Sequence, residues 1–216
     1  EISACLVGSE MCIRDRVCIS PNRFYIQESK KQEFLAAFID RTKKLKIGNG
    51  MDDGTQLGPL TTAKRLAEIE DLVEITKKEG AKVLLGGKRP PGFNKGYYYE
   101  PTVFDEVKDN FTIMSQEPFG PLVPMLSFKT FDEVIERANN NDLGLCSYIY
   151  TNSMDKANRA SELMETGTVA VNTHQVPLAE APFGGIKQTG YGREGGSMAI
   201  KDYLNIKYTH FGISYE

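Results

Sequence analysis

From Val17 onward the chain alternates between two spacings of apolar residues. Residues 23–27 (RFYIQ) are rich in strand formers. Phe34, Leu35, Phe38 and Ile39 then recur on one helical face, with Ser29 standing where an N-cap belongs. Residues 46–59 form a loop, because glycines and paired aspartates interrupt any period. Thr61 or Thr62 caps a second helix, whose stripe is Leu66, Ile69, Val73 and Ile75 and whose C′ glycine is Gly80. Residues 81–85 read as a short buried strand. The second half repeats the rhythm, with a strand over 122–128, a helix over 131–140 and a strand over 147–150. Ser153 caps a helix running to about Glu165, and residues 168–171 make another strand. A glycine-rich loop covers 173–196, and residues 203–211 close the chain as an extended segment of alternating character. Strands separated by helices predict an α/β fold, layered, with a largely parallel sheet. No repeat of fixed period and no linker divides residues 17–216.

The first sixteen residues break this pattern. Residues 1–16 (EISACLVGSEMCIRDR) have neither period, hold two of the four cysteines, and lack the basic start and apolar run of a secretory signal. The segment resembles translated sequencing-adapter read-through and is expected to be non-native. Cys18 and Cys146 remain, too far apart in sequence to suggest a disulfide framework. A net charge of −3 with dispersed basic residues leaves no footprint for nucleic acid or an anionic membrane. No apolar run approaches the roughly 18 residues of a membrane helix. A cytoplasmic location follows as the expectation, with no metal implied.

Three constellations carry candidate chemistry. Cys18, just before the first strand, is on its own more often a small buried hydrophobe than a nucleophile. Glu117-Pro118-Phe119-Gly120-Pro121 is a rigid turn that sets a carboxylate beside an aromatic ring; alone, it is a plain turn with a solvated acid. Residues 182–194 (PFGGIKQTGYGRE) carry enough glycine for backbone to pass close to another backbone or a ligand. They fit neither the phosphate-loop nor the dinucleotide fingerprint.

Taken together, order and spacing resemble the aldehyde dehydrogenase superfamily over residues 17–216. The likeness rests on CISPNRF from Cys18, Leu57-Gly58-Pro59, Tyr99-Glu100-Pro101-Thr102, the EPFGP turn and the PFGG-K-G-GRE loop. It is closest to the succinate-semialdehyde dehydrogenase-like branch in Pro21-Asn22-Arg23 and Gly192-Arg193-Glu194-Gly195. The resemblance implies a catalytic domain over 17–196 and an oligomerisation segment over 197–216, whose strand 203–211 pairs with a neighbouring subunit in a homodimer or homotetramer.

It also implies NAD or NADP as cofactor and a small-molecule aldehyde as substrate. Cys18 then falls on the nucleophile, whose thiolate forms a thiohemiacetal and later a thioester. The nucleophile's own backbone N–H serves the oxyanion together with an asparagine upstream of the matched region. Glu117 falls on the carboxylate that holds the nicotinamide-ribose hydroxyls, and Phe119 on the ring that backs the nicotinamide. Phe183 falls on the apolar wall of the substrate entrance, with Leu178 on its rim.

The departures matter as well. Asp15 and Arg16 stand where the family has Gly-Gln, and Cys12 stands where succinate-semialdehyde enzymes carry an arginine. The rim 173–181 has no serine, which leaves the particular aldehyde open. The nucleotide-binding domain and the glutamate base belong to upstream sequence, so the chain by itself is expected to be inactive. Two other readings stand beside this one: a non-catalytic, self-associating fragment, and a cysteine acyl hydrolase using His174 or His210.

Overall fold

The computed structural model describes residues 17–176 and 178–212, so the expectation for residues 1–16 lies outside the described residues. A four-stranded sheet organises the first half. Its strands are β1 (Phe24–Gln27), β2 (Lys82–Leu85), β3 (Thr102–Asp105) and β4 (Leu122–Phe128), in the order β1-β4-β3-β2. β1 and β3 both run parallel to β4, whereas β2 runs antiparallel to β3 with an irregularity between Val83 and Leu85. The sheet is therefore mixed rather than largely parallel. No helix lies between β2 and β3, and a parallel pairing would need a crossover.

Strand alternation splits the core between two helices. Val103, Val123 and Met125 face Leu35 and Phe38 of α1 (Lys31–Lys43), together with Ile26. Phe104, Leu122 and Leu126 face Leu66, Ile69, Leu72 and Val73 of α2 (Ala63–Lys78). β4 is covered on both sides, which accounts for its unbroken apolar run LVPML.

Several sequence expectations need correction. Ser29 caps nothing, because Glu28–Lys30 form a 3-10 turn and α1 begins at Lys31. Thr62 does cap α2, accepting from the Arg65 N–H at 3.1 Å, and Gly80 follows its end at φ +108°. Ile75 is 40% exposed; Leu72 and Thr76 are on the buried face instead. Thr76 enters the core by donating its hydroxyl to the Leu72 carbonyl at 2.7 Å. β2 is an edge strand with Lys82 exposed, not a buried one.

The second half holds α3 (Thr112–Ser115), α4 (Phe131–Asn139), β5 (Leu143–Gly144), β6 (Cys146–Ile149), α5 (Met154–Leu163), β7 (Thr168–Val171) and β8 (Ile186–Lys187). Thr130 and Glu133 close a reciprocal capping box on α4, and Ser153 caps α5 as expected. α5 carries the crossover that lets β6 and β7 pair in parallel. β5 and β8 pair antiparallel, so the loop 173–196 contains a short strand that its glycines concealed. Residues 203–211 form no strand within the described chain, and Tyr203, Ile206, Tyr208 and Phe211 are each at least 81% exposed. Among the described residues no helix is long and apolar enough to cross a membrane.

Candidate active site

Cys18 lies in a tight turn over residues 17–20, closed by the Ser20 N–H donating to the Val17 carbonyl at 3.0 Å. It is exposed, contrary to the bland reading of a buried hydrophobe. The turn feeds β1 and is held from two distant points. Arg23 Nη1 donates to the Met114 carbonyl at 2.7 Å, tying the start of β1 to α3 and hence to the turn that follows it. Burial lowers the pKa of Arg23. On the other side, Tyr148 Oη of β6 donates to the Ile19 carbonyl at 2.8 Å.

The turn opens on a groove of about 820 Å³ that runs between β1 and β6. Cys18, Arg23, Glu117, Cys146 and Tyr148 are among its lining residues, so the nucleophile candidate and the acid of the EPFGP turn face one space. Phe119, Phe183 and Leu178 do not line this groove. Cys146 is a second thiol in it, half-buried at the start of β6. Burial pushes its pKa up to about 11, against a hydrogen bond with Tyr148 that pulls it down; the nearby Cys18 adds to the rise. A thiol so disposed stays protonated at neutral pH and is a weak nucleophile.

The EPFGP turn is held by α2. Arg65 Nη1 reaches the Pro118 carbonyl at 3.4 Å, and Gly120 lies so close to Ile69 that a Cβ there would collide with its side chain. Phe119 adopts φ +45°, a left-handed conformation unusual for a bulky residue, and leaves its ring 38% exposed. Glu117 is exposed by surface area, yet partial burial of its carboxyl raises its pKa, with Arg65 drawing it back down. An exposed carboxylate beside an exposed ring is an arrangement that can accept hydroxyl groups and cover an apolar face.

Phe183 sits on a separate loop. Its backbone exchanges two hydrogen bonds with Glu194, at 2.7 and 2.8 Å, and its side chain is half-buried. Leu178, on the same loop, is 57% exposed. Gly167 lies directly against the Gly184 carbonyl, the close backbone approach that the glycine density implied. Lys187, at φ +57°, donates to the carbonyls of Asn139 and Asn141 at 2.8 and 3.1 Å and pairs with Glu165 at 2.6 Å. Arg193 donates to the Gly185 and Gly192 carbonyls, while its N–H meets Asp202. The Lys and Arg of the PFGG-K-G-GRE motif are thus the loop's fasteners. Tyr148 and Arg65 were not singled out from sequence; the ties Arg65–Pro118 and Tyr148–Ile19 span 53 and 129 residues, and no local spacing marks them.

A sequence model of the aldehyde dehydrogenase family matches residues 2–209. Aldehyde dehydrogenase 1A1 of Bos taurus is 42% identical over 197 residues, 91% of this chain and 39% of that protein. The crystal structure of succinate-semialdehyde dehydrogenase from Burkholderia pseudomallei superposes with a TM-score of 0.86 at 35% identity, covering 91% of this chain and 40% of that one. Betaine aldehyde dehydrogenase from Staphylococcus aureus in complex with NAD+ gives 0.85 at 38% identity, covering 88% and 38%. The chain spans about two-fifths of the length of the relatives it matches. Its likeness extends over both succinate-semialdehyde and other aldehyde dehydrogenases. By motif, fold and sequence identity, this chain belongs to the aldehyde dehydrogenase family.

Proposed function

We propose that this chain is the nucleophile-bearing part of an NAD(P)-dependent aldehyde dehydrogenase, with residues 17–196 its catalytic domain. The observation that carries the reading is an exposed thiol, Cys18, on a hydrogen-bonded turn at a groove it shares with Glu117. The thiolate attacks the aldehyde carbon: an S–C bond forms, the carbonyl π bond opens, and the oxyanion accepts from the Cys18 backbone N–H. The alkoxide re-forms the carbonyl as its carbon gives up hydride, leaving a thioester on Cys18; a bound nicotinamide would supply the acceptor, and the S. aureus relative is in complex with NAD+. Water then cleaves the thioester, releasing the carboxylic acid and the Cys18 thiol. The exposed carboxylate of Glu117 suits ribose hydroxyls, and the exposed ring of Phe119 suits the nicotinamide face. Phe183 and Leu178 serve the substrate entrance. A short semialdehyde such as succinate semialdehyde is the substrate class, in line with the B. pseudomallei relative.

The whole protein works in the cytoplasm as a homodimer or homotetramer, joined through residues 203–211, whose Tyr203, Leu204, Ile206, Tyr208 and Phe211 are exposed. By itself the 216-residue chain forms no NADH or NADPH, because two-fifths of a family member holds too little of the cofactor. The acyl-hydrolase reading lacks a base: neither His174 nor His210 lines the groove, and His210 meets Tyr208. The test is cofactor reduction at 340 nm in the full-length protein. Cys18→Ala abolishes it, while Cys146→Ala retains most activity; equal loss from both would remove the case for Cys18.

A further inference from the structure

The hydrogen bonds around Cys18 form a directed chain. Tyr148 Oη–H donates to the Ile19 carbonyl at 2.8 Å. That carbonyl shares its peptide group with the Ser20 N–H, which donates to the Val17 carbonyl at 3.0 Å. The Val17 carbonyl shares its peptide group with the N–H of Cys18. No cis peptide bond occurs among the described residues, so in each group the C=O and N–H point in opposite senses and the two dipoles add along the chain. We propose that Tyr148 is a positioning residue for the nucleophile, orienting and polarising the Cys18 backbone N–H through the two peptide groups of the turn.

The physical argument has two parts. First, a hydrogen bond accepted at a peptide carbonyl strengthens donation from the same group's N–H, by about 10–30% per bond. The effect passes from Tyr148 to Ser20, from Ser20 to Val17, and emerges at the Cys18 N–H, where the developing oxyanion gains it. Second, Tyr148 is mounted rigidly. β6 pairs with β7 over its whole length, with Tyr148 opposite the buried Ala170, and Thr166 Oγ1 donates to Ser147 Oγ at 3.0 Å. The phenol reaches the turn from a framework 129 residues along the chain, so local loop motion does not release it.

The inference rests on the reading of Cys18 as nucleophile, and the experiment separates the two. In the full-length protein, Tyr148→Phe removes the hydroxyl and keeps the ring. The single-turnover rate and kcat should fall roughly two- to fivefold, the effect of weakening one oxyanion donor by about 10–30%, with KM little changed. Alkylation of Cys18 by iodoacetamide develops no oxyanion and should keep its wild-type rate. Unchanged turnover overturns the proposal. So does equal slowing of turnover and alkylation, which would mean that Tyr148 places the thiol rather than the N–H. A Tyr148→Phe protein that no longer folds makes the residue structural and overturns it as well. Wild-type activity that survives Cys18→Ala would instead sink the nucleophile reading itself.

Discussion

The tripeptide Pro-Phe-Gly occurs twice, at 118–120 and at 182–184, and the two copies fold differently. In the first, Phe119 takes φ +45° and turns its ring to solvent; in the second, Phe183 pairs its backbone with Glu194 and half-buries its ring. The contrast comes from what stands against each glycine. Gly120 rests on the side chain of Ile69, whereas Gly184 is packed between the Gly192 carbonyl with the Arg193 side chain and the backbone of Gly167, which meets backbone atoms alone. Short motifs therefore take their shape from their neighbours. A wall of side chain can yield, and a wall of backbone cannot.

The sharpest way to break this comparison is Gly167→Ala. Its Cβ would be driven into the Gly184 carbonyl, with no flexible atom to move. A loss of about 3 kcal/mol in denaturant-measured stability is expected, at the upper end of overpacking costs. Gly120→Ala should cost less, about 1 kcal/mol, because the obstruction is the tip of Ile69. Adding Ile69→Val should recover much of that loss. Equal costs for the two glycines would show that the distinction between side-chain and backbone walls is false.

The smallest effect concerns Glu117. Its pKa is raised by burial, so its contribution to stability is full below the ordinary carboxylate range and is lost as pH rises through the raised value. At neutral pH, Glu117→Gln should therefore leave thermal stability unchanged or raise it, by no more than about one degree for so exposed a group. The difference should vanish in acid. A clear drop in melting temperature at neutral pH would show that the carboxylate serves the fold, contrary to its proposed cofactor role.

Much of the fold was legible because periodicity reports burial directly. The stripe of Leu66, Ile69 and Val73 and the apolar run of β4 both point into the core. Ile75 misled, since an apolar side chain off the stripe looks no different in sequence from one on it. β2 misled for a related reason: apolar letters do not tell an edge strand from a central one. At the candidate site, the resemblance supplied Cys18 and Glu117, and the groove brings them to one space. What holds that space open was hidden, because Arg23–Met114 and Tyr148–Ile19 are ties across 91 and 129 residues.

The second of those ties also sets an order in time. The turn around Cys18 leaves the ribosome ahead of Tyr148, which follows the Ile19 it fastens by 129 residues. At roughly 5–20 residues per second, the ribosome takes on the order of ten seconds to deliver it. Throughout that interval the nascent chain carries the cysteine without its fastening. The polarised Cys18 N–H, and with it aldehyde turnover, is thus complete only once β6 has docked, and the onset of turnover rather than of thiol alkylation would serve as a clock for the last stage of folding.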